Sequence, residues 1–228
     1  MDKFLSGVYF MSSNDRRVDA ASALKWSMDN LMKDNVIWLY PVGLSFVNAI
    51  LLLMLARPNE FSITIVFLLS LIVSIAIFIF MLISAKMFVQ IYKDGSLNFE
   101  SAKNEVMSNI GSYLLVGILG LVISILVITV PITLLLIVYS VFYPPNEIGK
   151  NLDRSIKMLT NNFSNVALLA ILAIVSGLLM ALTRGLIDLI IDPLATFINI
   201  LVLGGFTYLV AESEHIGDTK DMEGFSEQ

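Results

Sequence analysis

Arg184, Asp188 and Asp192 lie four residues apart, so a helix through them would set all three on one face. Such a row makes either an i,i+4 ion pair at an interface, a matter of roughly a few tenths of a kcal/mol, or an acidic vestibule. In the second case Asp188 and Asp192 would attract a cation or an amine, because carboxylates among membrane spans are costly and are kept for function. Asn48 and Asn199 are the other polar residues set in apolar surroundings, together with Ser45, Ser70, Ser74 and Ser124. Groups of this kind bridge neighbouring helices for roughly 0.6–2 kcal/mol each; the alternative for Asn48 and Asn199 is the lining of a polar path. No acidic or basic residue stands near the centre of an apolar run, which counts against a proton-driven transporter.

Other chemistry has little to stand on. The single histidine, His215, follows Glu212-Ser213-Glu214, and one imidazole with two solvated carboxylates holds a metal poorly. The absence of cysteine excludes disulfides, thiolate metal sites and a cysteine nucleophile. The 11 methionines are scattered and read as packing residues rather than cofactor ligands. No Gly-rich phosphate loop, nucleophile motif or haem ligand pair is present. The expectation is a non-enzymatic chain with no catalytic residue, no metal and no cofactor.

The elements that must position these residues are membrane spans. Of 228 residues, 57% are hydrophobic and 14% are charged, against about a quarter charged in soluble domains. Mean hydropathy is +0.84. The net charge of −5 offers nothing to a nucleic acid. The N-terminal apolar run is too short, and its continuation too charged, for a cleavable signal peptide.

The longest uncharged stretch, residues 106–146, contains no Asp, Glu, Lys, Arg or His and is broken by Val130-Pro131. Its apolar part, 110–143, would be ~50 Å long as one helix, whereas the hydrocarbon core is ~30 Å thick. It therefore reads as a hairpin, with Pro131 opening the second helix. The spacing predicts six spans, about 36–56, 61–85, 110–128, 131–143, 163–182 and 194–210, in a transmembrane domain of residues 36–210. Residues 1–35 form a segment with an amphipathic helix, and 211–228 an acidic, mobile tail. Residues 183–193 are expected to be a charged connection.

With six spans, twelve Lys and Arg fall on the side of the N-terminus and only Arg57 and Arg184 on the other. One kinked central span would divide the same residues nine to five. The positive-inside rule prefers the hairpin and puts both termini in the cytoplasm, in a multi-pass protein of the cytoplasmic membrane.

An amphipathic helix precedes each pair of spans. The first has Val18, Ala21, Leu24, Met28, Leu31 and Met32 on one arc; the second has Phe99, Ala102, Val106 and Ile110; the third has Ile148, Leu152, Ile156 and Leu159. Each should lie along the membrane surface. Leu24, Ser27, Met28 and Leu31 align with Leu152, Ser155, Ile156 and Leu159, the pattern of an internal repeat or of any amphipathic helix before a span.

The run NLDRSIKMLTNNFSNVALLAIL, residues 151–172, resembles the segment before the fifth span of uncharacterised prokaryotic and archaeal six-span membrane families. These families are related to the membrane domain of glycerophosphodiester phosphodiesterases. The opening DAASALKWSMDNLMKDNVIWLYPVGL, residues 19–44, is similar to the start of one of them. The resemblance implies the six-helix arrangement and no chemistry, since the chain lacks a catalytic domain and any histidine or acidic metal cluster. The fold class expected is all-α: six transmembrane helices in three hairpins, each introduced by an interfacial helix. The role expected is an accessory or organising component of the membrane, whose partners are lipids and a protein partner or homo-oligomer. The rival is a small-molecule or lipid transporter with its pathway between the repeat units.

Overall fold

The computed structural model describes residues 19–55, 63–124, 129–183 and 185–224, with side chains as far as 214. Among these residues every regular element is helical: α1 (Ala20–Lys33), α2 (Val36–Leu55), α3 (Ile63–Asp94), α4 (Phe99–Ser108), α5 (Ile110–Ile123), α6 (Val130–Phe142), α7 (Ile148–Asn161), α8 (Phe163–Leu182) and α9 (Asp188–Gly224), with a 3-10 turn at Gly185–Ile187. In space α2 packs on α3, α5 on α6 and α8 on α9, while α9 also meets α1, α2 and α3.

The outside of the bundle is apolar and its inside partly polar. Ile65, Leu68 and Ile72 of α3, Leu115 and Ile118 of α5, and Leu168 and Ile171 of α8 are exposed, whereas Ser45, Ser70, Ser176, Thr196 and Thr207 are buried. Only a hydrocarbon surround makes that distribution favourable, so the chain is a membrane-embedded helical protein. Four segments are long and apolar enough to cross: α2, α3, α8 and Gly185–Glu214, which contains most of α9. The α4–α5 pair, bent by 77°, would make a fifth. Helices α5 and α6, of 14 and 13 residues, are ~20 Å long and individually short of the ~30 Å core.

Pro131 stands in the first turn of α6, as its fixed φ favours. The helices it separates touch closely: Thr133 donates to the Gly120 carbonyl at 3.2 Å, and Ser124 to Thr133 at 2.9 Å. The tip at residues 125–128 lies outside the described residues. Pro41 sits inside α2 and is buried. Lacking an N–H, it leaves the Ile37 carbonyl without its helical donor, and the Ser84 hydroxyl of α3 donates to that carbonyl instead.

Three boundaries differ from those read in the sequence. Helix α3 does not stop at Ala85 but continues to Asp94, because Met87, Phe88 and Val89 are buried and Lys86 finds partners across the bundle. It ends at Gly95, whose φ of 66° only glycine adopts easily. Helix α9 begins at Asp188 and passes through Pro193, so residues 188–193 are helix rather than connection. A proline this near the start forfeits only the bond to the Leu189 carbonyl. At its other end α9 runs to Gly224 where a mobile tail was expected from 211; Ala211 is buried and Ser213 hydrogen-bonds the Met158 sulfur of α7.

Helices α1, α4 and α7 gather at one end of the bundle. Trp26 of α1 packs on Phe88 and Tyr208 at 5.7 and 5.3 Å between rings, Glu105 of α4 pairs with Lys86, and Met158 of α7 meets Ser213. Leu31, Leu82, Phe88, Leu135, Leu169 and Phe206 belong to the buried core of the bundle. The faces these helices bury are not all the expected ones. In α1 the buried edge is Ala20, Ala23, Ser27, Asn30 and Leu31, with Ala21, Met28 and Met32 exposed. That edge lies about 100° around the helix from the expected apolar arc. In α7 the buried edge is Asn151, Ser155 and Met158, and Ile156 is exposed. In α4, Ala102 and Val106 are buried as expected.

Candidate functional site

At the far end of the bundle from α1, Asp188 begins α9 and turns back on the preceding 3-10 turn. Its Oδ2 accepts from the Gly185 N–H at 3.0 Å, which satisfies one of the free donors of that turn. Its Oδ1 is buried and has no hydrogen-bond partner among the described residues. Asp192, one turn on, is 5% exposed. Arg184 lies outside the described residues. Asp188 and Asp192 therefore share a face of α9 as their spacing requires, and this face continues through Thr196 and Asn199.

The rest of that stripe is engaged with other helices. Thr196 donates to Ser45 of α2 at 2.9 Å, and the Asn199 amide oxygen accepts from Ser176 of α8 at 2.7 Å. Asn48 does not join this row. Its amide oxygen accepts from Ser70 of α3 at 2.8 Å. The structure thus brings Asp188, Asp192 and Asn199 onto one helix face and leaves Asn48 on a separate helix pair. Both amide oxygens are used in bridging helices, and the buried atom left without a partner among the described residues is Asp188 Oδ1. No group of three His, Asp or Glu suited to a metal ion occurs among the described residues.

A second constellation, at the end carrying α1, was not singled out from the sequence. Between the end of α3, the α4–α5 bend and the α6–α7 connection lies a half-open cleft of about 530 Å³. Its floor is Lys86, whose side chain is 12% exposed and pairs with Glu105, 48% exposed. The Lys86 ammonium also donates to the Val141 carbonyl at 3.2 Å, one of the last carbonyls of α6, which have no helical donor. Asn109, Ser112 and Tyr113 form one wall and Pro144, Pro145 and Asn146 the rim. Asn109 forms the α4–α5 bend, and α5 starts there without a side-chain cap.

Aromatic and cationic groups surround this end. Tyr40 is stacked between Phe80 and Phe99 at 5.1 and 5.4 Å, Lys93 lies over the Phe142 ring at 5.3 Å, and Arg154 lies over Tyr143 at 3.7 Å. Aromatic rings with cations beside them are the usual occupants of headgroup depth. The signal in the sequence was Lys86 itself, a lone cation inside an apolar helix pattern that continues past it to Val89. Its partners come from residues 105 and 141, which no local pattern connects. No protein-family profile, curated protein or solved structure matches the chain.

Proposed function

We propose that the chain is a non-enzymatic component of the cytoplasmic membrane that organises the leaflet in which α1, α4 and α7 lie. In this reading α2–α3, α5–α6 and α8–α9 are three hairpins, each introduced by an interfacial helix. The six passages leave both termini in the cytoplasm, on the side of twelve of the fourteen Lys and Arg. The short α5–α6 pair is accommodated by local thinning of the bilayer. The likeness of residues 19–44 and 151–172 to six-span families belongs to the same proposal.

The observation that carries it is the common division of α1 and α7 into three sectors. Each buries a small polar edge, Ser27 or Ser155, against the bundle. Each turns its next residue, Met28 or Ile156, outward, at 37% and 45% exposure. The remaining sector is polar: Ser22, Asp29 and Lys33 in α1, Asp153, Lys157 and Thr160 in α7. Such a helix suits the line where protein, acyl chains and water meet, and the outward apolar flank engages lipid. A protein partner or a second copy on the same flank is the other occupant that cross-linking would identify.

Because the chain has no cysteine, Met28→Cys and Ile156→Cys each accept a single environment-sensitive fluorophore. In nanodiscs both labels should emit as in an apolar medium and be quenched by spin-labelled lipid. Quenching of both by aqueous iodide alone would overturn the proposal.

The transporter reading draws on a separate observation, the buried Asp192 beside the unpartnered Asp188 Oδ1. It requires cation or amine flux in vesicles that Asp192→Asn abolishes. Unchanged flux in that variant removes it.

A further inference from the structure

We infer that the cleft at Lys86 binds a headgroup bearing both a phosphate and a primary amine, as in a phosphoethanolamine. The site is independent of the leaflet-organising proposal, since it needs neither the outward flank of α1 nor that of α7.

Depth comes first. From Ile63 to Ala85, α3 is uninterruptedly uncharged, a length of ~34 Å against a core of ~30 Å. Lys86 is the first charge after it and so stands where acyl chains give way to phosphates. The cleft there has about 530 Å³ of space, within the range of small-molecule sites.

Its walls offer unspent donors on one side and an acid on the other. Tyr113 is 1% exposed and lines the cleft, yet no hydrogen bond among the described residues engages its hydroxyl. Beside it are the Ser112 hydroxyl and the uncapped start of α5, whose dipole favours an anion. Lys86 gives one N–H to Glu105 and one to Val141, and an ammonium has a third. These groups suit a phosphate. Among the described residues Glu105 is the only acid lining the cleft; it neutralises Lys86 when the site is empty and would repel a ligand that is only anionic. A ligand that brings its own ammonium replaces the single Lys86–Glu105 pair with two, Lys86 to phosphate and amine to Glu105. Charge balance thus selects a zwitterion with N–H donors.

The test uses the full chain in nanodiscs of phosphatidylcholine and three probes: dihexanoyl phosphatidylethanolamine, dihexanoyl phosphatidylglycerol and chain-free glycerophosphoethanolamine. The ethanolamine lipid should bind at least tenfold tighter than the glycerol lipid. Glu105→Gln should erase that preference, Tyr113→Phe should weaken both lipids severalfold, and Lys86→Met should weaken both most. Should Lys86→Met fail to fold, the other two variants still decide. Glycerophosphoethanolamine binding as tightly as its lipid counterpart would support the same chemistry with a soluble source; weaker binding supports a lipid. Equal affinity of the wild type for the two lipids, or a preference that survives Glu105→Gln, would overturn the inference.

Discussion

Replacing Gly204 with alanine should loosen α1 from α9 while leaving α8 undisturbed. An ideal Cβ at Gly204 falls 2.6 and 2.8 Å from carbons of the Phe88 ring and runs into the Ser27 hydroxyl. Both neighbours are fully buried, so neither can swing aside, and relief requires α1, which carries Ser27, and the end of α3 that carries Phe88 both to ease away from α9. Overpacking of this kind costs roughly 1–3 kcal/mol. Loss of the 2.8 Å hydrogen bond from Ser27 to the Leu201 carbonyl adds ~1 kcal/mol. The total of about 2–4 kcal/mol corresponds to roughly a 30- to 700-fold rise in the undocked population. Hydrogen exchange in nanodiscs reads it directly: amides of α1 should lose protection by that factor while those of α8 keep theirs. Ser27→Ala should restore part of the loss in the Gly204→Ala background, a non-additivity of at least ~1 kcal/mol. Unchanged α1 protection in a folded Gly204→Ala protein would refute the close approach and the orientation of α1 derived from it.

Ser84→Ala should destabilise the protein by about 1–3 kcal/mol, because it orphans the buried Ile37 carbonyl; adding Pro41→Ala returns a backbone donor and should recover most of that, as seen in denaturant midpoints in detergent. Asn199→Ala should cost roughly 0.6–2 kcal/mol through the Ser176 bridge, with Asn48→Ala additive to it because the two amides serve different helix pairs. Asp19 caps α1 by accepting from the Ser22 N–H at 2.6 Å, which holds its carboxyl below the ordinary value of 3.8. A lowered folded-state pKa gives stability that is present above 3.8 and lost as pH falls through the folded value. Exchange at the first turn of α1 should therefore rise at low pH in the wild type, and Asp19→Asn should flatten that dependence.

Features with a local cause could be read from the residues alone. A proline suits the first turn of a helix, so Pro131 marked the start of α6. The alternation of polar and apolar residues marked α1, α4 and α7, and the Asn48 and Asn199 amides sit in bridges as interhelical polar groups commonly do. What depended on distant partners was hidden. Helix α3 outruns its apolar segment because Glu105 and the Val141 carbonyl receive Lys86, and these lie 19 and 55 residues further along the chain, far beyond a helical turn. The lack of a side chain at Gly204 leaves room for Ser27 against α9, so α1 buries Ser27 while the more hydrophobic Met28 stays exposed. The cleft at Lys86 is assembled from three separated segments. Pro193 illustrates the opposite error, since a residue that usually breaks a helix costs little six positions into one.

The proposed placement of α1, α4 and α7 on one side of the membrane is tested most directly by single cysteines on their polar flanks. Ser22→Cys, Ser101→Cys and Thr160→Cys are all at exposed positions, and Leu186→Cys stands at the opposite end of the bundle, 76% exposed. In sealed inside-out vesicles a membrane-impermeant maleimide should label the first three and spare Leu186→Cys, with the reverse in right-side-out vesicles. Labelling of Ser22→Cys and Thr160→Cys from opposite sides would contradict an even number of passages between them.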